Sequence, residues 1–136
     1  MKYFFAGIKG SGMAGLACML KNLGNDVIGC DDTKVYTFTE DALYENDIKV
    51  YKDAYFLTSD MIFIYTAAIH EDHYAYKKAK ELNCKMYGYF EYIGELTKKY
   101  KTICVAGSHG KTTTTALLSH IFKNTIKTNY LIGDGT

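Results

Sequence analysis

A glycine-rich segment near the start of the chain has the residue types of a turn that binds a diphosphate. Gly10-Ser11-Gly12-Met13-Ala14-Gly15 is a complete GxGxxG pattern, placed after an apolar run and before residues at helical spacing. Glycines let the chain turn sharply and let a diphosphate approach backbone N–H groups at the positive end of a helix. The segment therefore predicts nucleotide binding. The alternative is that these glycines serve only a tight contact between helix and sheet.

Two carboxylates follow this loop at the spacing that a nucleotide site requires. Asp31 and Asp32 lie 21 and 22 positions after Gly10 and close a second apolar run at residues 27–30. A carboxylate at the end of the second strand can accept hydrogen bonds from a ribose or a base. Their placement supports the nucleotide-binding interpretation of the first loop.

A second loop ends in the Gly-Lys-Thr of a phosphate loop. Val105 stands where the general pattern has its first glycine, so the loop is a shortened Gly-x-x-Gly-Lys-Thr variant. Backbone N–H groups of such a loop cradle phosphates, Lys111 neutralises the terminal phosphates, and the Thr112 hydroxyl can ligate Mg²⁺. Lys111 and Thr112 are therefore the candidate catalytic residues. The candidate ATP-binding residues are Gly107, Ser108, His109, Gly110, Lys111, Thr112 and Thr113.

The threonines after this loop conflict with simple helix propensity. Residues 112–115 are four β-branched side chains, which are unfavourable in the first turn of a helix and by propensity suggest a strand. A strand would leave Lys111 and the glycines unexplained. We therefore expect a helix here, with its apolar part at residues 116–122.

The first 100 residues alternate between strand and helix patterns. The predicted strands cover residues 2–7, 27–30, 48–51, 61–65 and 85–89. The predicted helices run from residue 13 to Gly24, over residues 42–43 behind a Thr37/Glu40 capping box, from about residue 72, and over residues 91–99. This order predicts an α/β fold, a Rossmann-like parallel sheet with flanking helices.

The end of the chain predicts a different unit. A strand at 102–106, the helix at 116–122 and a strand at 130–132 form a βαβ pattern, too small to close a core alone. The net charge is −2 for residues 1–100 and +3 for residues 101–136. We interpret residues 1–99 as one domain and residues 100–136 as the first βαβ unit of an ATP-binding domain whose remainder is missing. An unpaired last strand would also permit self-association.

Composition excludes several classes of protein. The chain has 136 residues, 23% charged and 48% hydrophobic, and all 16 basic residues are lysine, which argues against sequence-specific nucleic-acid binding. The four cysteines show no zinc spacing and are expected to be reduced thiols. No leader peptide and no run approaching about 18 apolar residues is present, so we expect a cytosolic protein without a membrane segment.

Two histidines give a weaker metal hypothesis. His70 and His73 bracket Glu71 and Asp72 at the predicted start of a helix. Imidazole and carboxylate groups at this spacing can bind a metal ion, but we prefer the interpretation that they form a solvated helix end.

The two loops together resemble the Mur ligases, a family that attaches amino acids to a UDP-linked cell-wall precursor. The resemblance runs nearly the whole length of the chain. It is carried by residues 7–13, Gly29-Cys30-Asp31, Tyr36-Thr37-Phe38-Thr39, residues 107–115 and the ending at residues 130–136.

The resemblance implies a site and a reaction. Residues 1–99 would bind UDP-N-acetylmuramate, with the pyrophosphate on the first loop and Asp31 near the uridine. ATP, with Mg²⁺, would phosphorylate the lactyl carboxylate, and the amine of L-alanine would displace phosphate to form an amide. A related ligase of the family, which attaches a whole tripeptide, shares the Gly-x-His-Gly-Lys-Thr loop and is the alternative; residues 7–13 and 36–39 favour the alanine reaction. This chain should not catalyse ligation alone. The implied UDP-sugar residues are Lys9, Gly10, Ser11, Gly12, Met13, Asp31, Thr66, Ala67, Ala68 and Ile69.

A different class of protein shares the first loop. GxGxxG followed by Asp31 also occurs in NAD-binding modules of oxidoreductases and regulatory proteins. The second loop favours the ligase interpretation, because an NAD module has no use for Gly110-Lys111-Thr112.

Overall fold

The computed structural model describes residues 1–126 and 128–132. Strands and helices alternate along most of the first 97 residues, as predicted, but the strands at residues 49–51 and 62–65 follow one another with no helix between them. Among the described residues after 97, one further helix forms. The strands are Lys2–Ala6 (β1), Asp26–Cys30 (β2), Lys49–Tyr51 (β3), Ile62–Tyr65 (β4) and Lys85–Gly88 (β5). The helices are Ser11–Asn22 (α1), Thr39–Glu45 (α2), Tyr74–Glu81 (α3), Tyr89–Thr97 (α4) and Lys111–Thr125 (α5).

The five strands form one parallel sheet in the order β3-β2-β1-β4-β5. β1 is central, with Phe4 level with Ile28 of β2 on one side and Phe63 of β4 on the other. The strand order reverses at β1, so the loops after β1 and β4 diverge and leave a crevice at the carboxyl edge of the sheet. The predicted fold class, a Rossmann-like parallel sheet with flanking helices, is confirmed.

The residues of β1 alternate between two hydrophobic cores. Tyr3 and Phe5 pack with α1 and α4 on one face, and Phe4 and Ala6 pack with α3 on the other. All four are at most 3% exposed. A strand buried on both faces is expected to be continuously apolar, which explains why β1 shows no alternation of polar and apolar residues.

The predicted capping box at α2 is half correct. The Glu40 carboxylate accepts a hydrogen bond from the Thr37 backbone N–H at 2.9 Å. The Thr37 hydroxyl, however, bonds to the Thr39 hydroxyl rather than to a backbone N–H, and α2 begins at Thr39.

The two strands predicted after residue 100 are not formed. Residues 102–106 and 130–132 carry no strand pairing, because a strand requires a hydrogen-bonded neighbour and this part of the chain supplies none. Of the predicted βαβ unit only the helix forms. It begins at Lys111, so residues 112–115 are helical as expected, and none of its residues is buried.

Residues 130–132 therefore do not form the unpaired strand from which self-association was expected, and self-association itself stays a prediction. Leu131 is half-buried against the core beside α1, where it lies 3.1 Å from the position that a side-chain carbon on Gly15 would occupy. Residues 133–136, which contribute to the family resemblance, lie outside the described residues.

The cysteines differ in how far they are exposed. All four cysteines are unpaired thiols, two of them buried, and burial raises the pKa of the Cys30 thiol to about 11. Cys104 is exposed. Among residues 1–126 and 128–132, no helix is both long enough and apolar enough to cross a membrane.

A buried tyrosine pair gives a test of this packing. Tyr92 of α4 donates a hydrogen bond of 2.7 Å to the Tyr3 hydroxyl of β1. Tyr92→Phe should lower the free energy of unfolding by about 1 kcal/mol, since one hydrogen bond is lost and the ring is kept. Tyr44→Phe, at an exposed side chain, is the control and should change nothing. Urea unfolding monitored by circular dichroism measures both.

The same tyrosine should contribute to alkaline unfolding. Burial raises the pKa of Tyr92, so the unfolded chain loses this proton first, and stability is lost as pH rises above about 10. Tyr92→Phe should therefore lose less stability than the wild type above that pH. An equal loss in both proteins would contradict this assignment.

Candidate functional site

Three loops meet at the carboxyl edge of adjacent strands. The first glycine loop follows β1, Asp31 follows β2, and residues 66–69 follow β4. Because β2, β1 and β4 are neighbours in the sheet, the structure brings together all the residues predicted for the UDP-sugar site. It does so at the crevice where parallel α/β sheets bind ligands.

Gly7 fixes the point at which the first loop leaves the sheet. Its φ angle is +78°, and a side-chain carbon here would lie 2.5 Å from Thr66 Cγ2. The Gly7 and Ile8 N–H groups both donate to the Cys30 carbonyl, and the Thr66 N–H donates to the Ala6 carbonyl. The three loops are thus connected by backbone hydrogen bonds at their bases.

The N-terminus of α1 faces this crevice without a cap. Gly10 is the N-cap residue, and no side chain in the described chain accepts a hydrogen bond from the first turn. The N–H groups of Ser11, Gly12 and Met13 are therefore available to an anion. The side chain of Met13 is buried in the core, so this residue offers only its backbone.

The three glycines of the GxGxxG pattern differ in whether the surrounding protein leaves room for a side chain. Around Gly10 the nearest atom to an added side-chain carbon is 3.6 Å away, so protein packing does not require glycine there. At Gly12 the same carbon would lie 2.6 Å from the Tyr89 hydroxyl oxygen. Gly15 is exposed and faces Leu131, so the contact between α1 and the sheet does not depend on it.

Asp31 holds the first loop in place. One carboxylate oxygen accepts from the Lys9 N–H and the other from the Thr33 N–H, each at 2.9 Å. Asp31 therefore lies at the crevice as predicted, and each of its oxygens already has one backbone partner. A carboxylate oxygen can accept a second hydrogen bond, so contact with a ligand remains compatible with this arrangement.

Asp32 belongs to a separate cluster with α3. Its carboxylate lies 2.9 Å from His73 Nε2 and accepts from the Tyr74 hydroxyl at 2.8 Å. The hydrogen bond with His73 is the main cause that lowers the pKa of Asp32. Since His73 Nδ1 accepts from the Ala75 N–H and caps α3, the proton of the neutral ring is on Nε2. The cluster joins the end of β2 to α3.

The metal hypothesis for the two histidines is not supported. Within the described residues there is no group of three or more His, Cys, Asp or Glu side chains that could hold a metal ion. His73 is instead the cap of α3, and His70 is exposed in the preceding turn.

Residues 66–69 form a turn beside Gly7. The Ile69 N–H donates to the Thr66 carbonyl at 3.0 Å, and Ile69 packs against the core on the α3 side. Ala67 and Ala68 are exposed. The turn beside Gly7 therefore presents two small, exposed side chains, which leave room for a ligand.

The second glycine loop, residues 107–110, is exposed and leads directly into α5. Gly110 has a φ angle of +76° and is the N-cap of α5, with no side-chain cap. Lys111 Nζ donates to the Gly107 carbonyl at 2.7 Å. Ser108, His109, Thr112 and Thr113 are exposed. The Thr112 hydroxyl is accessible for the metal contact that was predicted.

Sequence reasoning missed three residues that shape the first site. Tyr89 packs over Gly12, Thr39 donates a hydrogen bond to the Lys9 carbonyl at 2.6 Å, and Glu40 lies 3.0 Å from Lys9 Nζ. Two sequence signals lay near them: the capping box at Thr37 and Glu40, and the segment Tyr36-Thr37-Phe38-Thr39 of the family resemblance. A contact between residues about 30 or more positions apart leaves no local sequence pattern from which it could be predicted.

The fold and the first site define a class of protein. A parallel sheet of order β3-β2-β1-β4-β5, with a glycine loop and an uncapped helix N-terminus at the switch point, is a Rossmann-like α/β architecture. Within this class the chain belongs to the Mur ligase family. Residues 2–101 match the family described as Mur ligase family, catalytic domain.

Individual relatives agree with the family assignment. The UDP-N-acetylmuramate–L-alanine ligases of Lacticaseibacillus casei (strain BL23) and Lacticaseibacillus paracasei (strain ATCC 334) are each 47% identical to the chain over 135 residues. The match covers 98% of this chain and 31% of each relative. The chain therefore spans about a third of the length of these relatives.

Two solved structures share the fold. UDP-N-acetylmuramate-alanine ligase MurC from Thermotoga maritima gives a TM-score of 0.74 at 29% identity, over 90% of this chain and 29% of that one. UDP-N-acetylmuramate:L-alanyl-gamma-D-glutamyl-meso-diaminopimelate ligase from Neisseria meningitides gives 0.75 at 26% identity, over 90% and 39%.

The different surroundings of Gly10 and Gly12 give a stability test. Gly12→Ala should lower the free energy of unfolding by about 1–3 kcal/mol, since the Tyr89 ring must move to admit a methyl group. Gly10→Ala should leave it unchanged or raise it by up to about 1 kcal/mol, because the φ of −60° and ψ of 139° suit any residue. Urea unfolding of both variants is the measurement. Equal destabilisation by the two would contradict the structure.

Proposed function

We propose that the glycine loop after β1 binds the diphosphate of UDP-N-acetylmuramate. The observation that carries this proposal is the uncapped N-terminus of α1, whose Ser11, Gly12 and Met13 N–H groups face the crevice at the switch point. An anion there gains both hydrogen bonds and the positive end of the helix. The open space at Gly10 allows close approach of a phosphate.

The neighbouring loops are suited to the rest of the nucleotide sugar. Asp31 is placed to accept hydrogen bonds from the uridine, beyond those from its two backbone donors. Ala67 and Ala68 are small and exposed beside Gly7, and we assign the turn at residues 66–69 to the wall of the sugar site. The names of the relatives that match 98% of this chain support the choice of UDP-N-acetylmuramate.

We further propose that the chain is the N-terminal part of an ATP-dependent ligase that joins L-alanine to UDP-N-acetylmuramate. Residues 1–99 are the UDP-sugar domain in this proposal, and residues 100–136 begin the ATP-binding domain. In the reaction, the lactyl carboxylate attacks the γ-phosphorus of ATP and releases ADP. The amine of L-alanine then attacks the acyl phosphate, the amide bond forms, and phosphate leaves.

The second loop supplies the groups for the first of these steps. Lys111 exchanges its hydrogen bond with the Gly107 carbonyl for one with a phosphate oxygen, and the N–H groups at the start of α5 hold the neighbouring oxygens. The exposed Thr112 hydroxyl fits Mg²⁺, an oxygen-seeking ion that takes most of its other ligands from phosphates and water. Thr112 would hold Mg²⁺ there, and the ion would supply positive charge to neutralise the transferred phosphoryl group.

Calorimetric titration of the chain with UDP-N-acetylmuramate tests the first proposal. We expect binding, and we expect Gly10→Asp to weaken it by more than about tenfold, because a carboxylate would then occupy the diphosphate position. Gly94→Asp is the control, since it adds the same charge in α4 with no atom within 4 Å. Gly12 is unsuitable for this test because its substitution disturbs Tyr89.

Titration with NAD separates the competing class of protein. Binding of NAD without binding of UDP-N-acetylmuramate would select a dinucleotide-binding module and overturn the ligase proposal.

Incubation of the chain with UDP-N-acetylmuramate, L-alanine, ATP and Mg²⁺ should give no amide product, because α5 buries none of its residues and its domain is incomplete.

A further inference from the structure

Lys9 is the one charged residue within the first glycine loop, and a single segment of the chain holds all of its polar groups. That segment, residues 31–40, runs from the end of β2 into α2. A lysine beside a diphosphate site would ordinarily be interpreted as a phosphate ligand. Its contacts in this structure indicate a different role.

The backbone of Lys9 is held on both sides. Its N–H donates to an Asp31 carboxylate oxygen at 2.9 Å, and its carbonyl accepts from the Thr39 hydroxyl at 2.6 Å. The Thr39 side chain is buried, at 5% exposure. A buried hydroxyl needs a hydrogen-bond partner, and the bond from Thr39 to the Lys9 carbonyl therefore ties the first glycine loop to the start of α2.

The ammonium group of Lys9 has two partners in the same segment. Nζ lies 3.0 Å from a Glu40 carboxylate oxygen and donates to the Thr33 carbonyl at 3.0 Å, and the side chain is only 13% exposed. The same Glu40 oxygen accepts from the Thr37 N–H. This backbone hydrogen bond, followed by the one with Lys9, lowers the pKa of Glu40, so the carboxylate is ionised at neutral pH.

We propose that Lys9 is a positioning residue for the diphosphate loop, locked by Glu40 and Thr39, and that it does not bind the phosphate itself. The proposal rests on the proposed function of the loop. With Lys9 held at its N–H, carbonyl and ammonium groups, the next residues enter α1 with their N–H groups in one orientation. Preorganised donors bind an anion more tightly than donors that must first be ordered.

The two roles for Lys9 predict opposite effects of one substitution. If Lys9 binds phosphate directly, Glu40→Gln releases its ammonium group and removes a nearby negative charge, so the affinity for an anion should rise. If Lys9 positions the loop, Glu40→Gln removes the lock and the affinity should fall. The sign of the change therefore distinguishes them.

The experiment is calorimetric titration of the 136-residue chain and its variants with UDP-N-acetylmuramate. We expect Glu40→Gln and Lys9→Met each to weaken binding by about tenfold, the effect of losing one charge-assisted hydrogen bond. The double variant should be no weaker than Lys9→Met, because both changes break the same contact. Thr39→Val should weaken binding without altering any charge, and Lys9→Arg should retain affinity within about threefold, since the ion pair is kept.

Controls separate loop positioning from general loss of structure. Glu45→Gln, at the exposed end of α2, makes the same charge change and should bind like the wild type. In amide spectra of ligand-free Glu40→Gln, the resonances of Ser11, Gly12 and Met13 should shift while those of β5 stay in place. Unchanged resonances in the loop would overturn the proposal.

The outcomes also distinguish this proposal from the one on which it rests. If the wild type and Glu45→Gln both fail to bind UDP-N-acetylmuramate, the proposed function fails, and the role of Lys9 fails with it. If the wild type binds and Glu40→Gln binds equally or more tightly, the positioning role alone is overturned.

Discussion

Burial of β1 on both faces is the constraint on which the rest of the structure depends. Its side chains alternate between the core beside α1 and the core beside α3, so neither layer forms without it. Because β1 is also where the strand order reverses, its carboxyl end opens into the crevice between two diverging connections. The apolar packing that stabilises the domain therefore also places the glycine loop. Gly7, which has a positive φ and lies close to Thr66, sets the direction in which the glycine loop leaves the sheet.

The crevice is shaped mostly by polar contacts between loops. Asp31 and Glu40 are acidic, yet both act on the first loop through hydrogen bonds to Lys9, and so they support a site proposed for an anion. Their negative charge is offset by backbone N–H groups and by one ammonium group. The uncapped turn of α1 then remains the main positive feature facing a ligand. In the proposed site, backbone N–H groups bind the anion, and side chains orient the loop that carries those groups.

Residues 1–97 and the segment that follows them differ in how much apolar surface they bury. Residues 1–97 bury a sheet between helices, whereas α5 exposes apolar side chains such as Leu117 and Ile121. A phosphate loop acts through the strand and helix that flank it, and here only the helix is formed. Membership of the Mur ligase family, together with relatives about three times as long, is consistent with a second domain that needs further chain.

The sequence by itself determined the fold class, the order of elements over residues 1–97 and the positions of both glycine loops, because these follow from local patterns: apolar period, turn glycines and spacing. It also correctly predicted a helix through Thr112–Thr115 against β-branched propensity. Only the tertiary structure decided that the strands at 102–106 and 130–132 do not form, since pairing depends on a partner. It likewise decided that Tyr89 packs against Gly12 and that Glu40 forms an ion pair with Lys9. The hydrogen bonds of Asp32 with His73 and Tyr74 were also decided there. These contacts join residues about 30 to 80 positions apart, and their partners are selected by packing of the sheet and helices, for which one sequence carries no local signal.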